Sequence, residues 1–223
     1  MIKTPCIVVN FKTYEQGSGK KAVKLAKICE KVAKTTKKSI AIAVQEADIY
    51  RVSQTVSIPV FAQHIDPITD GAHTGHTLSE TIKEAGAQGT LINHSEDQFD
   101  LQKIKTAIER AKQVGLQTIV CASNPEIATK IAEFNPDIIA IEPPELIGGE
   151  ISVSTAKPEI ISKTIDKVHN IKKIPVICGA GIKDKKDVII AIKLGAVGVL
   201  PSSHVVKARD PEKILRELAE GLG

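Results

Sequence analysis

Residues 137–150 read DIIAIEPPELIGGE, an apolar run that meets a glutamate, then two prolines and, a few residues on, a glycine pair. The run does not alternate apolar with polar, so as a strand it needs cover on both faces, the condition of a parallel sheet with helices packed outside it. The same construction recurs along the chain as PCIVVN (5–10), IAIAV (40–44), PVFAQ (59–63), GTLIN (89–93), QTIVC (117–121), IPVIC (174–178) and VGVL (197–200). With DIIAI (137–141) these make eight candidate strands. Helical periodicity fills most of the gaps. In residues 18–35, Ala22, Leu25, Ala26, Cys29, Val32 and Ala33 return at three- and four-residue steps, and Leu101, Ile104, Ile108 and Ala111 do the same in 99–114. Helix starts are marked by Asn124-Pro125-Glu126, Lys157-Pro158-Glu159 and Asp210-Pro211-Glu212. There Pro needs no donor at the first helical position, and Glu faces the positive end of the helix dipole.

Strands alternating with helices, with no linker and no break in composition, predict a single (β/α)8 barrel domain over residues 1–223. An open doubly wound sheet is the rival. Two features favour the barrel: no GxGxxG follows the first strand, and polar residues sit at the C-terminal ends of several different strands, which a barrel gathers on one face.

Composition narrows the function. Of the 223 residues 42% are hydrophobic and 25% charged, the balance of an ordinary globular domain. The net charge of +4 is mild and dispersed, and aromatics are 3%, so nucleic acid is not an expected partner while a small anionic ligand is. No apolar run reaches the roughly 18 residues of a membrane span. MIKTPCIVVNFK at the start reads as structure and not as a leader, which points to the cytoplasm. Cys6, Cys29, Cys121 and Cys178 lie far apart with no CxxC and are expected to be buried free thiols.

The strand ends carry the chemistry. Strand 1 ends in Asn10 and Lys12, strand 3 in Gln63 and His64, strand 4 in Asn93, His94, Ser95 and Glu96, and strand 6 in Glu142. On a barrel an ammonium, an imidazole and a carboxylate then share one mouth. GAGI (179–182) after strand 7 and PSSH (201–204) after strand 8 fit a phosphate cradle, where glycine lets backbone N–H groups approach an anion. His73 and His76 could form an HxxH metal pair with His64, but no carboxylate or thiol completes the set at a telling spacing, so no metal is expected.

VNFKTY, AQHID, GAHTGH, LINHSE, AIEPPELIG, CGAGI and GVLPSSHVVKA, in this order over nearly the whole chain, resemble the triosephosphate isomerase family, in particular its short archaeal branch. The resemblance implies interconversion of dihydroxyacetone phosphate and D-glyceraldehyde 3-phosphate through an enediolate, in glycolysis and gluconeogenesis, without metal or organic cofactor. It implies Glu142 as the base, His94 as a neutral electrophile, and Lys12 as positive charge beside the same oxygen and the phosphate. Asn10, Phe11 and Lys12 would bind substrate, with phosphate held by backbone N–H groups around Ile147, Gly148, Gly181, Ser202 and Ser203. Ser95 and Glu96 would stand behind these groups, Glu96 as a buried carboxylate near Lys12. LIGG (146–149) would belong to a lid hinged between Pro143-Pro144 and Gly148-Gly149. His73 and Thr74, in GAHTG (71–75), would reach into a neighbouring subunit, which implies a homodimer at least and commonly a tetramer in the archaeal branch.

Two segments depart from that pattern. Gly148-Gly149-Glu150 replaces the usual Gly-Thr-Gly at the end of the lid, and Pro201-Ser202-Ser203-His204 replaces an aliphatic residue followed by Ala-Ser-Gly. Both touch phosphate binding and neither touches base or electrophile, so the reaction is expected to be retained with lid closure or phosphate affinity altered. Two other readings share the phosphate segments: a barrel transferase or synthase, and a barrel that binds a phosphorylated ligand without turnover. The first has no reason to place Lys, His and Glu at the ends of strands 1, 4 and 6, while the two departures keep the second open.

Overall fold

The computed structural model of the chain describes residues 2–143 and 158–223. Pro144, Ile147, Gly148, Gly149 and Glu150, and with them the expected lid and its second hinge, lie outside the described residues, as does Lys157.

Eight parallel strands close into a barrel in sequence order. They are β1 (Cys6–Asn10), β2 (Ser39–Val44), β3 (Val60–Ala62), β4 (Gly89–Ile92), β5 (Gln117–Ala122), β6 (Ile138–Ile141), β7 (Val176–Cys178) and β8 (Gly198–Val199). All eight runs expected from the sequence are strands, and closure comes from Cys6 and Ile7 of β1 pairing with Gly198 and Val199 of β8. The helices of the outer layer among the described residues are α1 (Gly19–Thr36), α2 (Glu46–Ser53), α3 (Ser79–Glu84), α4 (Leu101–Gln113), α5 (Pro125–Glu133), α6 (Pro158–Ile171), α7 (Lys185–Lys193), α8 (Ser203–Val206) and α9 (Pro211–Glu220). Asn124 and Asp210 cap α5 and α9 as expected, accepting from the backbone N–H of Ile127 and Lys213.

The two-residue period of a strand divides the core in two. Ile7 and Val9, with Ile40, Ile42, Ile139 and Val176, face outward into the layer between strands and helices. Cys6 and Val8, with Leu91, Ile119, Cys121, Ile138, Ala140 and Ile177, face inward and fill the barrel. Phe61 is the bulkiest inward side chain, and it fits because Gly89 on the adjacent strand has no Cβ: one built there would stand 2.2 Å from the Phe61 ring. Continuing the inward rows past the strand ends brings Asn10, Asn93, Glu142, Gly179 and Leu200 to the C-terminal mouth. Among the described residues no helix is long and apolar enough to cross a membrane, and no three His, Cys, Asp or Glu side chains are grouped so as to hold a metal.

Candidate active site

Glu142 follows Ile138 and Ala140 on the inward row of β6, and its backbone N–H is held by the Ala122 carbonyl at 2.8 Å. The residue is 2% exposed. That seat exists because Gly179, at the end of β7, is glycine: a Cβ there would lie 2.3 Å from Glu142 Cγ. Burial, which penalises the charged carboxylate, raises the Glu142 pKa from its ordinary 4.5 to about 7, while a hydrogen bond from the Cys121 thiol and the positive Lys12 hold it back. Burial and the neighbouring carboxylate keep the Cys121 thiol protonated, and hence a donor.

His94 lies in the turn after β4. The Glu96 backbone N–H donates to its Nδ1 at 3.2 Å, so that nitrogen must carry the lone pair and the proton sits on Nε2. Burial first, then the charge of Lys12, lower the imidazole pKa to about 4, so the ring is neutral at physiological pH. Its Nε2 stands 3.8 Å from Glu142 Oε1. That is too long for a hydrogen bond, which leaves donor and carboxylate both free to meet a third body between them.

Lys12 adopts φ 46°, a left-handed conformation stabilised by the Asn10 side chain, whose Oδ1 accepts the Lys12 N–H at 2.9 Å. Gln63 Nε2 donates to the Lys12 carbonyl at 3.0 Å. The ammonium reaches Glu96 Oε1 at 2.7 Å. Glu96 is therefore beside Lys12 as expected, but its side chain is 58% exposed and not buried. It stands on the outer rim of the turn, on a recess of about 260 Å³ lined also by Thr13, Gln45, Glu46, His64 and Asp97.

Asn10, Lys12, His94 and Glu142 share a cavity of about 270 Å³ whose far wall is Gly181, Lys183, Ser202, Ser203 and His204. The expected phosphate segments after β7 and β8 thus line the same cavity as the base, and His204 joins them. Among the described residues two buried side-chain oxygens have no hydrogen-bond partner, Glu142 Oε2 and Ser202 Oγ, and both residues line this cavity. Phe11 does not join them. As an odd-numbered residue past β1 it packs outward with Ile7 and Val9 in the strand–helix layer, fully buried. Ser95 is half-buried in the turn behind His94. His73 and Thr74 are fully outside the site, on a loop whose residues 69–76 are all exposed. Its stem is fixed by the Asp66 backbone N–H donating to the Thr77 carbonyl at 2.9 Å, by the Asp66 carboxylate accepting the Thr77 N–H at 2.7 Å, and by Arg110 Nε donating to the Ile68 carbonyl at 2.9 Å. Sequence reading missed Tyr14 and Cys121, and took Gly179 as part of the phosphate cradle without its role in seating Glu142. The inward parity of Ile119 and Cys121 was the available signal for the last.

The family model described as triosephosphate isomerase matches residues 5–218. Relatives named triosephosphate isomerase include one from Methanobacterium bryantii, 51% identical over 97% of this chain and 96% of its own length. One from Methanocaldococcus jannaschii is 48% identical over 95% and 97% of the two chains, and one from Metallosphaera sedula is 43% identical over 99% and 96%. Among solved structures, triosephosphate isomerase from Bartonella henselae superposes with a TM-score of 0.74 at 18% identity, covering 91% of this chain and 93% of that one, a likeness of fold.

Proposed function

The chain belongs to the triosephosphate isomerase family and is an isomerase of triose phosphates, and from that premise we propose that Glu142 is its base and His94 its electrophile. Glu142 takes a proton from the carbon next to the substrate carbonyl and returns it to the neighbouring carbon. General-base help of this kind contributes roughly 10²- to 10⁴-fold. The neutral His94 donates from Nε2 to the oxygen that becomes negative in the enediolate, a contact of the kind worth about 2.7 to 4 kcal/mol. Lys12 adds positive charge beside it and Asn10 holds Lys12 in its left-handed turn.

The observation that carries this assignment is the pair itself. A carboxylate raised to about 7 and an imidazole lowered to about 4 face one another at 3.8 Å in one cavity. Their environments push the two groups toward base and neutral donor at one pH, which is how acid–base roles are assigned within one site. On the opposite wall Gly181, Ser202 and Ser203 would take the phosphate through backbone N–H groups, with the unpartnered Ser202 Oγ available to it. Ile147 and Gly148 would close over the same phosphate; that part of the proposal rests on sequence alone.

We further infer a homo-oligomer, a dimer at least and a tetramer by family resemblance. The exposed 69–76 loop with its fixed stem would fill the recess beside Lys12 and Glu96 of a neighbouring copy. Four free buried thiols agree with a reducing, cytoplasmic location, and the pairing of β1 with β8 agrees with one domain over 1–223.

A coupled assay with D-glyceraldehyde 3-phosphate tests the roles. Glu142→Gln keeps the shape and removes the base, so kcat should fall at least about 10²-fold with KM little changed. Parental turnover in that variant would sink the assignment.

A further inference from the structure

Asn93 continues the inward row of Leu91 on β4, is 7% exposed, and has no part in the roles proposed above. Its φ is 61°, the left-handed region that Asn tolerates better than other side chains apart from Gly. The carboxamide makes two bonds in opposite directions. Nδ2 donates to the Cys121 carbonyl on β5 at 2.8 Å, and Oδ1 accepts the Phe99 backbone N–H, also at 2.8 Å. Only one orientation of the amide satisfies both, since the flipped group would set N–H against N–H and C=O against C=O.

Each bond ends on a part of the catalytic pair's surroundings. Cys121 is the residue whose thiol hydrogen-bonds to Glu142. Phe99 closes the loop that carries His94, and within that loop the Asp97 N–H donates to the His94 carbonyl at 2.8 Å. From outside, His64 Nδ1 meets the Asp97 carboxylate at 3.0 Å, and the His64 ring meets Phe99 edge-on at 5.4 Å between centroids. The outer contact involves an exposed carboxylate, whereas both bonds of Asn93 are buried or half-buried and therefore the stronger constraint.

We propose that Asn93 is the positioning residue that sets the separation between His94 Nε2 and Glu142, by tying the electrophile's loop to the strand that bears the base's thiol neighbour. It lines no part of the cavity and acts through His94; the proposal rests on the roles assigned to His94 and Glu142. Because the phosphate wall stands on other elements, loosening the tie misplaces the electrophile without weakening the grip on substrate.

Asn93→Gly is the informative variant, since glycine keeps the left-handed backbone and removes both bonds. Steady-state kinetics should show kcat down about 10²-fold, the order expected for a misplacement near 1 Å, with KM within about twofold. Imidazole ¹⁵N spectra should show His94 leaving the single Nε2–H tautomer as its turn loosens. Asn93→Asp is the second variant: it accepts from Phe99 but sets an oxygen against the Cys121 carbonyl, and kcat should fall there too. A folded Asn93→Gly or Asn93→Asp enzyme with parental kcat and an unchanged His94 tautomer overturns the proposal, as does a loss confined to thermal stability. Failure of the underlying roles shows separately, as parental turnover in Glu142→Gln.

Discussion

At the scale of single residues, Glu142 links rate and stability to the same titration. As the proposed base it must be ionised to act, so kcat/KM should fall about tenfold per pH unit below about pH 7 in a pH–rate profile. His94 adds no second limb until about pH 4. For stability the sign is the reverse of the usual carboxylate. The folded-state pKa is raised, so the protonated acid sits comfortably below pH 4.5, and that contribution is lost as pH rises through about 7. Glu142→Gln should therefore raise the thermal midpoint at pH 8, by an amount corresponding to at most about 3 kcal/mol, and do little at pH 4.5. A midpoint shift equal at both pH values would contradict a buried ionised base. The charged members of this site were legible in the sequence because a Lys, a His or a Glu after an apolar run is chemically conspicuous. Cys121 was not, because a thiol looks like core until the geometry shows what it touches, and Gly179 was legible only as part of the cradle and not as the gap that seats Glu142. Phe11 shows what parity hides: its neighbours Asn10 and Lys12 face the mouth, but the strand period turns the Phe11 side chain the other way.

At the scale of elements, the strands were legible because burial on both faces removes alternation, and each of β1 to β8 coincides with one of the apolar runs to within a residue or two at its ends. The helix starts were legible through their caps. One cap bears on function. Asp184 accepts from the Asp187 N–H at 3.0 Å, and the Asp187 carboxylate accepts in return from Asp184 and, at 3.0 Å, from Lys183, so the box at the start of α7 holds the end of the 179–183 wall of the cavity. Asp184→Ala should cost about 1 kcal/mol of stability in a denaturant titration. It should also raise KM for the triose phosphate more than it lowers kcat, because it loosens the phosphate side and leaves β4 and β6 alone. Equal KM with a reduced kcat would place the effect elsewhere.

At the scale of the whole molecule, the exposure of Glu96 could not be read from sequence, since it depends on how the turn after β4 sits on the rim, and in the proposed oligomer a second copy would cover it. The exposed 69–76 loop and the recess of about 260 Å³ beside Lys12 are the two halves of the inferred contact. Thr74→Arg, placing a long charged side chain at the loop tip, should give monomers by light scattering and a kcat lower by about 10²-fold as the Lys12–Glu96 pair stays open to water. Monomers with full turnover would separate assembly from catalysis. The inward rows of the barrel have one more consequence. Ile138, Ala140 and Glu142 form a single column, as do Cys6, Val8 and Asn10, so the proposed base and its neighbour Asn10 are the top layer of the interior and not a fixture set upon it. A cavity or an added methyl low in such a column is transmitted upward along a stiff strand to the proposed base. Laboratory evolution for heat resistance should then accumulate its changes on the odd-facing side of β1 and in the helix layer, where repacking leaves the columns untouched.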